Sequence, residues 1–113
     1  MARRRLEVSK MRMFFVLGAA LSLNLATAAA AETGAGQALY SAECAQCHGR
    51  AGRGTAVFPA VRGKSPEFVS ERLMQYRAGE TLGPNSALMT AAVRDLTDDD
   101  IEKLAEFIAA NFP

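Results

Sequence analysis

The chain has 113 residues, of which half are hydrophobic and 22% are charged, and this length suits a single domain. Its formal net charge is +1, but five of the 13 basic side chains and only one of the 12 acidic ones lie in residues 1–31. Residues 32–113 are therefore acidic on balance, so nucleic acid is not expected as a partner.

Residues 1–31 have the order of a cleaved secretory signal peptide. A basic start is followed by an apolar run over residues 13–26 and then by small residues that end at Ala31. A membrane anchor is the alternative, but the apolar run is shorter than the ~20 residues that span a bilayer. We therefore predict export, cleavage near Ala31, a domain over residues 32–113 and no stable membrane span after processing.

The first predicted helix of the domain runs from about Gly34 to Gln46 and leads into a short cysteine motif. Tyr40, Cys44 and Cys47 follow the i, i+4, i+7 spacing of one helix face, so we expect that face to be buried.

The motif Cys44-Ala45-Gln46-Cys47-His48 contains both cysteines and the only histidine. A structural zinc site needs four ligands, and a thioredoxin-type pair needs a βαβ pattern that the sequence does not show. A simple disulfide would leave His48 without a role. The spacing C-x-x-C-H is the signature of covalent haem attachment. Two thiols one helical turn apart can each form a thioether bond to a vinyl group of the haem. The side chain of the next residue can then bind the haem iron. We therefore predict one haem c, attached to Cys44 and Cys47 and ligated by His48.

Residues 49–65 are predicted to form a loop, because glycines and Pro59 interrupt any regular pattern there. A loop of this length is uncommon in a compact domain, and a bound haem would give it a surface to wrap. A second helix is predicted over Pro66 to Ala78, with Pro66 in its first turn. Val69, Leu73 and Tyr76 lie on one face of it.

The second iron ligand is sought among the methionines, since no other histidine exists and Met/His ligation is common. Outside residues 1–31 there are two methionines, Met74 and Met89. Met74 lies in the middle of the predicted helix, off its apolar face, whereas Met89 follows a Gly-Pro turn in a segment that can wrap an open haem face. We favour Met89. Met74, Lys64, Lys103 and an open coordination position remain alternatives, as does a simple packing role for Met89.

The last predicted helix begins after Thr97, a good N-cap with Asp100 three residues later. Its apolar stripe consists of Ile101, Leu104, Ala105 and Ile108. Because no pair of strands is evident, we predict an all-α domain with three or four short helices.

The order of several short motifs resembles that of the small bacterial class I c-type cytochromes, including single-domain cytochrome subunits of periplasmic dehydrogenases. These motifs are Gly36-x-x-Leu39-Tyr40, Cys44-Ala45-Gln46-Cys47-His48-Gly49, Gly52-x-Gly54, Phe58-Pro59-x-Val61-x-Gly63, Tyr76-Arg77-x-Gly79, Met89 and residues 96–101. The resemblance implies the class I cytochrome c fold, with short helices wrapped around one haem. It implies that the Pro59 carbonyl accepts a hydrogen bond from His48 Nδ1, that Gly36 and Phe107 meet where the first and last helices cross, and that Met89 is the distal ligand. We expect Tyr40, Pro59, Leu73 and Tyr76 to pack on the haem or to orient His48.

These expectations predict a periplasmic one-electron carrier rather than an enzyme, with a donor dehydrogenase and an acceptor oxidase or reductase as its partners. A cytochrome subunit resident in a dehydrogenase complex is an alternative, and a five-coordinate haem sensor or enzyme is another. The stretch from Cys44 to Pro66 contains Arg50, Arg53, Arg62 and Lys64 but no acidic residue. This basic stretch could either dock an acidic partner beside the haem edge or simply be solvated.

Overall fold

Four helices and their connections make up residues 32–113, which are the residues that the computed structural model describes. The predicted signal peptide lies outside this described range. Helix α1 covers residues 32–48, with a π-helical turn at Tyr40–Cys44, and α2 is Pro66–Arg77. Helix α3 is Ser86–Val93 and α4 is Asp98–Asn111. Within residues 32–113 there is no strand, which confirms the predicted all-α fold.

Helix α1 differs from its prediction in one respect that concerns the cysteine motif. The backbone N–H of Ala45 donates to the Tyr40 carbonyl, which is the i→i+5 bond of a π-helical turn. Because a π-helical turn contains an extra residue, the side chains after Tyr40 are rotated about the helix axis relative to a regular α-helix. Within the polypeptide, Tyr40 is buried, Cys44 is half-buried and Cys47 is exposed.

The loop over residues 49–65 is confirmed, and backbone hydrogen bonds connect it to the end of α1 and to the residue that follows α4. Gly54 N–H donates to the His48 carbonyl at 2.8 Å, and Gly63 N–H donates to the Phe112 carbonyl at 2.9 Å. Helix α1 stops at Gly49, whose φ of 81° lies in the left-handed region that favours glycine. The chain therefore turns sharply directly after His48.

Helix α2 begins as predicted, since the Ser65 hydroxyl caps it by accepting from Phe68 N–H and Pro66 occupies its first turn. Its buried side chains are Val69 and Leu73. This face packs against α4, and α2 also contacts α3.

Helix α4 forms the centre of the core. The predicted capping box is present, because Thr97 Oγ1 accepts from Asp100 N–H while Asp100 Oδ2 accepts from Thr97 N–H. The four residues of the predicted stripe are all buried, and two of them, Ile101 and Leu104, are fully inaccessible. Burying side chains of this size contributes about 1.5–3 kcal/mol each, so this stripe is a main source of stability.

Helices α1 and α4 cross at Gly36. A Cβ atom at this position would lie 2.5 Å from the Lys103 carbonyl oxygen and 2.8 Å from Phe107 Cβ. Only glycine allows the two backbones to approach this closely. Next to the crossing, the rings of Tyr40, Phe107 and Phe112 pack with centroids 4.9–5.7 Å apart. Each helix among residues 32–113 is too short or too polar to cross a membrane.

Candidate functional site

His48 is buried at the end of α1, with its ring held by the loop that follows. Its Nδ1 atom lies 2.7 Å from the Pro59 carbonyl oxygen, which is the contact that the family resemblance implies. A carbonyl oxygen can only accept a hydrogen bond, so Nδ1 carries the proton. The lone pair of the neutral ring is then on Nε2, the atom that is free to bind a metal.

A second hydrogen bond fixes the backbone beside His48. The Tyr40 hydroxyl donates to the Gly49 carbonyl oxygen at 2.7 Å, and Tyr40 is only 2% exposed. Burial raises the pKa of this phenol to about 12, with a smaller contribution from the nearby Cys44 thiol. Tyr40 was expected to orient His48 or to pack on a haem. The hydrogen bond from its hydroxyl to Gly49, the residue that follows the histidine, was not predicted from the sequence.

The two cysteines are free thiols in different surroundings, and they form no disulfide. Cys44 is half-buried, and desolvation raises the pKa of its thiol to about 11, with smaller effects from Glu43 and Cys47. Cys47 is exposed. Both thiols are therefore free to form a covalent bond. They lie within about one helical turn of His48, at the end of α1.

Met89 lies in helix α3 and packs, partly buried, against the hydrophobic core, whereas Met74 on α2 is 37% exposed. Helix α3 was not expected from the sequence around Met89. Both methionines are therefore helical, so the stiffness of a helix does not distinguish them, but burial does. The start of α3 is built by Ser86, whose Oγ accepts from the N–H groups of Leu82 and Gly83 at 2.8 Å each.

The core brings most of the predicted site residues together. Tyr40 and Leu73 are buried members of it, and Cys44, Tyr76 and Met89 pack partly buried against it. Pro59 is exposed and joins the group through its carbonyl contact to His48. Cys47 is exposed at the end of α1 and is not among the residues that pack on the core.

Exposed apolar side chains lie close to this group. Leu88, next to Met89, is 58% exposed, and Val57 is 66% exposed. The loop and the start of α3 are linked there, since Asn85 Nδ2 approaches the Val57 carbonyl oxygen at 3.5 Å. Exposed apolar side chains of this size are suited to contact with a large apolar group or with a partner.

The basic residues of the loop differ in their contacts. Arg62 donates to the Pro113 carbonyl oxygen, and the Lys64 ammonium lies 5.4 Å from the centre of the Phe68 ring. Arg50 and Arg53 are exposed and have no ion-pair partner within residues 32–113. These two arginines, two and five residues after His48, are therefore free to meet a partner.

The donor set fits a covalently bound haem better than the alternatives. It offers two free thiols, one imidazole with a free Nε2 and one partly buried thioether, which are the groups that hold a c-type haem. In contrast, the His, Cys, Asp and Glu side chains of residues 32–113 form no group of three or more that could hold a metal ion. A zinc site therefore has no support from the geometry.

Comparison with known protein families shows to which family the chain belongs. The family model described as cytochrome c oxidase, cbb3-type, subunit III matches residues 31–108. The chain belongs to this family of c-type cytochromes. As a small monohaem c-type cytochrome it carries one covalently bound haem c and transfers electrons.

Individual relatives agree with this assignment. The cytochrome is 33% identical to cytochrome c-554(547) of Halothiobacillus neapolitanus, over 71% of its own length and 97% of that protein. It is 32% identical to the cytochrome subunit of sulfide dehydrogenase of Chlorobaculum tepidum, over 61% of its length and 60% of that subunit. It is 35% identical to the thiosulfate dehydrogenase electron acceptor of Stutzerimonas stutzeri, over 59% of its length and 32% of that protein.

Proposed function

We propose that this cytochrome is a periplasmic one-electron carrier whose haem is attached through Cys44 and Cys47 and whose iron is ligated by His48 and Met89. The observation that carries the proposal is the 2.7 Å contact between His48 Nδ1 and the Pro59 carbonyl oxygen. In the neutral ring this contact keeps the proton on Nδ1 and leaves the lone pair on Nε2, one residue after Cys47. The bound haem would supply a one-electron couple.

The protein's own residues would prepare this site in three ways. The Pro59 carbonyl holds His48 in one tautomer and orientation, which also makes the imidazole a better donor. The Tyr40 hydroxyl holds the Gly49 carbonyl, so the backbone after the ligand stays in place. The core side chains Leu73 and Tyr76 provide apolar surroundings that exclude water, and low polarity is one of the factors that set a haem potential.

The proposed Met89 ligand distinguishes a carrier from a sensor or an enzyme. With His48 and Met89 both bound, the iron keeps no open position for a substrate. Met89 is the methionine that packs against the same core as Tyr40 and Leu73, while Met74 is exposed. This difference in burial supports Met89.

The experiment is to produce the protein with haem-maturation machinery and to denature it. We expect the haem to remain with the polypeptide, and we expect the oxidised protein to show a weak long-wavelength sulfur-to-iron band. Extraction of the haem by acid–acetone with both thiols open to alkylation would refute covalent attachment. A high-spin oxidised spectrum would refute Met89 ligation and favour the five-coordinate alternative.

A role as a resident subunit of a dehydrogenase is the second candidate. Two relatives support it, since one is named as the cytochrome subunit of a sulfide dehydrogenase and another as an electron acceptor for thiosulfate dehydrogenase. A free shuttle and a resident subunit need the same haem site. Size-exclusion chromatography of a native extract separates them, because a subunit elutes with its complex and a shuttle elutes at its own mass.

Export to the periplasm is proposed from the signal-like pattern of residues 1–31. Covalent haem attachment to a C-x-x-C-H motif is consistent with an exported protein. Mass spectrometry of the protein purified from cells tests this point. We expect an N-terminus near Glu32 and a mass increased by one haem, and an intact N-terminus would contradict cleavage.

A further inference from the structure

One face of helix α2 forms a groove that none of the haem-site residues lines. The groove has a volume of about 660 Å³, and its lining consists of Glu67, Ser70, Glu71, Met74, Gln75, Ala78 and Glu80. The four residues Glu67, Glu71, Met74 and Ala78 follow the i, i+4, i+7, i+11 spacing of a single helix face. They lie on the side of α2 opposite to the buried pair Val69 and Leu73.

The groove is apolar in the middle and acidic at its edges. Met74 is 37% exposed there and Ala78 is exposed beside it. Exposed methionines are enriched where one protein binds another, because the flexible thioether adapts to different contacts. Glu67, Glu71 and Glu80 are exposed, and none of them forms a salt bridge within residues 32–113. Three aspartates elsewhere differ from these glutamates, since Asp95, Asp98 and Asp99 are all paired with basic side chains.

We propose that this α2 groove docks a basic protein partner, which inserts an apolar side chain over Met74 and places lysine or arginine side chains beside Glu67 and Glu71. The inference rests on the proposed electron-carrier function, because it names the kind of partner that such a carrier meets. Three unpaired carboxylates repel nucleic acids and anionic membranes, so the complementary occupant is a basic protein surface.

The groove and the arginine pair Arg50 and Arg53 give the cytochrome two docking surfaces of opposite sign. The arginines lie on the segment that follows His48, the proposed iron ligand, and they suit an acidic partner. The α2 groove contains no residue of the attachment motif or of the proposed ligand pair. The groove and the turn that follows His48 are therefore formed by different residues.

The test is a titration of the ¹⁵N-labelled holoprotein with a synthetic peptide of alternating lysine and leucine, followed by NMR. We expect chemical-shift changes at the α2 groove and a binding constant that weakens as salt screens the carboxylates. The variant Glu67→Gln/Glu71→Gln should weaken binding about fivefold to tenfold, as expected for two exposed ion pairs. Met74→Gln, which changes no charge, should weaken it about threefold through loss of an apolar contact.

The matched control is Glu102→Gln/Glu106→Gln, an exposed i, i+4 pair of glutamates on α4 that removes the same charge. We expect this control to change the affinity by less than about twofold. Equal losses in both double variants, or normal binding by Met74→Gln, would overturn the proposal, because the peptide would then respond to net charge alone. The visible spectrum of each variant reports the haem separately. If the proposed haem site is wrong, the visible spectrum will show it. If the groove is not a docking surface, the titration will show no binding there.

Discussion

The Tyr40 hydroxyl donates a hydrogen bond to the Gly49 carbonyl oxygen at 2.7 Å, and this bond joins the two ends of the segment that carries the cysteine motif. Tyr40 begins the π-helical turn, and Gly49 is the residue at which α1 stops. Because Tyr40 is a buried core residue, the bond holds the end of α1 close to the core. This one hydrogen bond therefore restrains the backbone both before Cys44 and after His48.

Replacing Tyr40 by phenylalanine should remove this constraint without changing the packing of the ring. We expect Tyr40→Phe to lose about 1 kcal/mol of unfolding free energy, the usual contribution of one hydrogen bond. We also expect a shifted midpoint potential, because the backbone after His48, the proposed iron ligand, is no longer fixed. Denaturant unfolding and a spectroelectrochemical titration measure the two effects. An unchanged potential with reduced stability would show that the hydroxyl serves only the fold.

The same tyrosine predicts a loss of stability at alkaline pH. Its pKa is raised to about 12 in the folded protein, from an ordinary value of 10.0, mainly because burial disfavours the phenolate. The stabilisation from the neutral phenol is therefore complete below pH 10 and is lost as the pH rises toward 12. Comparing Tyr40→Phe with the wild type over this range isolates the contribution, and the variant should lose less stability than the wild type.

Replacing each methionine in turn should show which of the two ligates the iron. Met89→Ala should abolish the sulfur-to-iron band and lower the midpoint potential, since Met/His ligation raises it. Met74→Ala is the matched control and should leave both unchanged, because Met74 is exposed. Loss of the band in Met74→Ala but not in Met89→Ala would reverse the assignment.

The crossing of α1 and α4 predicts opposite effects for two neighbouring glycines. Gly36→Ala should destabilise the protein by about 1–3 kcal/mol, because the new methyl group would press on the Lys103 carbonyl and the Phe107 side chain. Gly34 is also helical, but a Cβ atom there meets nothing within 4 Å. Gly34→Ala should therefore be neutral or gain up to about 1 kcal/mol from better helix propensity. Thermal unfolding of both variants measures the difference.

Much of the fold could be predicted from local sequence signals. Thr97 and Asp100 predicted a helix start because both partners of a capping box lie three residues apart, and Pro66 predicted another because proline suits the first turn of a helix. The stripe from Ile101 to Ile108 predicted the core because its period matches that of a helix. The attachment motif predicted the haem because the chemistry needs neighbouring thiols and an imidazole.

The features that the sequence did not predict depend on contacts between distant residues or on irregular backbone. The π-helical turn at Tyr40–Cys44 has no residue pattern of its own, so the helical spacing of Tyr40, Cys44 and Cys47 did not reveal it. Helix α3 was missed because its eight residues lack a strong apolar period and follow a Gly-Pro turn. A signal was present in Ser86, whose hydroxyl caps the backbone of the preceding turn.

The capping box of α4 predicts a defined loss of stability and a defined response to acid. Thr97→Ala should cost about 1 kcal/mol, since it removes the acceptor for Asp100 N–H. The pKa of Asp100 is lowered below its ordinary 3.8 by hydrogen bonds from Thr97. The stabilisation from this carboxylate is thus present above pH 3.8 and is lost as the pH falls through the lowered pKa. Asp100→Asn should therefore be less stable than the wild type at pH 6, and the two should converge in strong acid. A constant difference across this range would contradict the prediction.

The arginine pair beside the haem motif predicts salt-dependent electron transfer to an acidic partner. Arg50 and Arg53 are exposed and have no ion-pair partner within residues 32–113, so reversing them should change the long-range field and little of the fold. We expect Arg50→Glu/Arg53→Glu to slow electron transfer to the native partner at low ionic strength by about tenfold or more, and the difference should shrink at high salt. The control compares Arg94→Glu with the single variant Arg50→Glu, because both change the net charge by the same amount and Arg94 is also exposed but lies at the end of α3 beside Asp95. Stopped-flow rates at several salt concentrations measure the effect. Equal slowing in both single variants would show that only net charge matters, whereas slowing confined to Arg50→Glu would place the docking surface on the turn that follows His48.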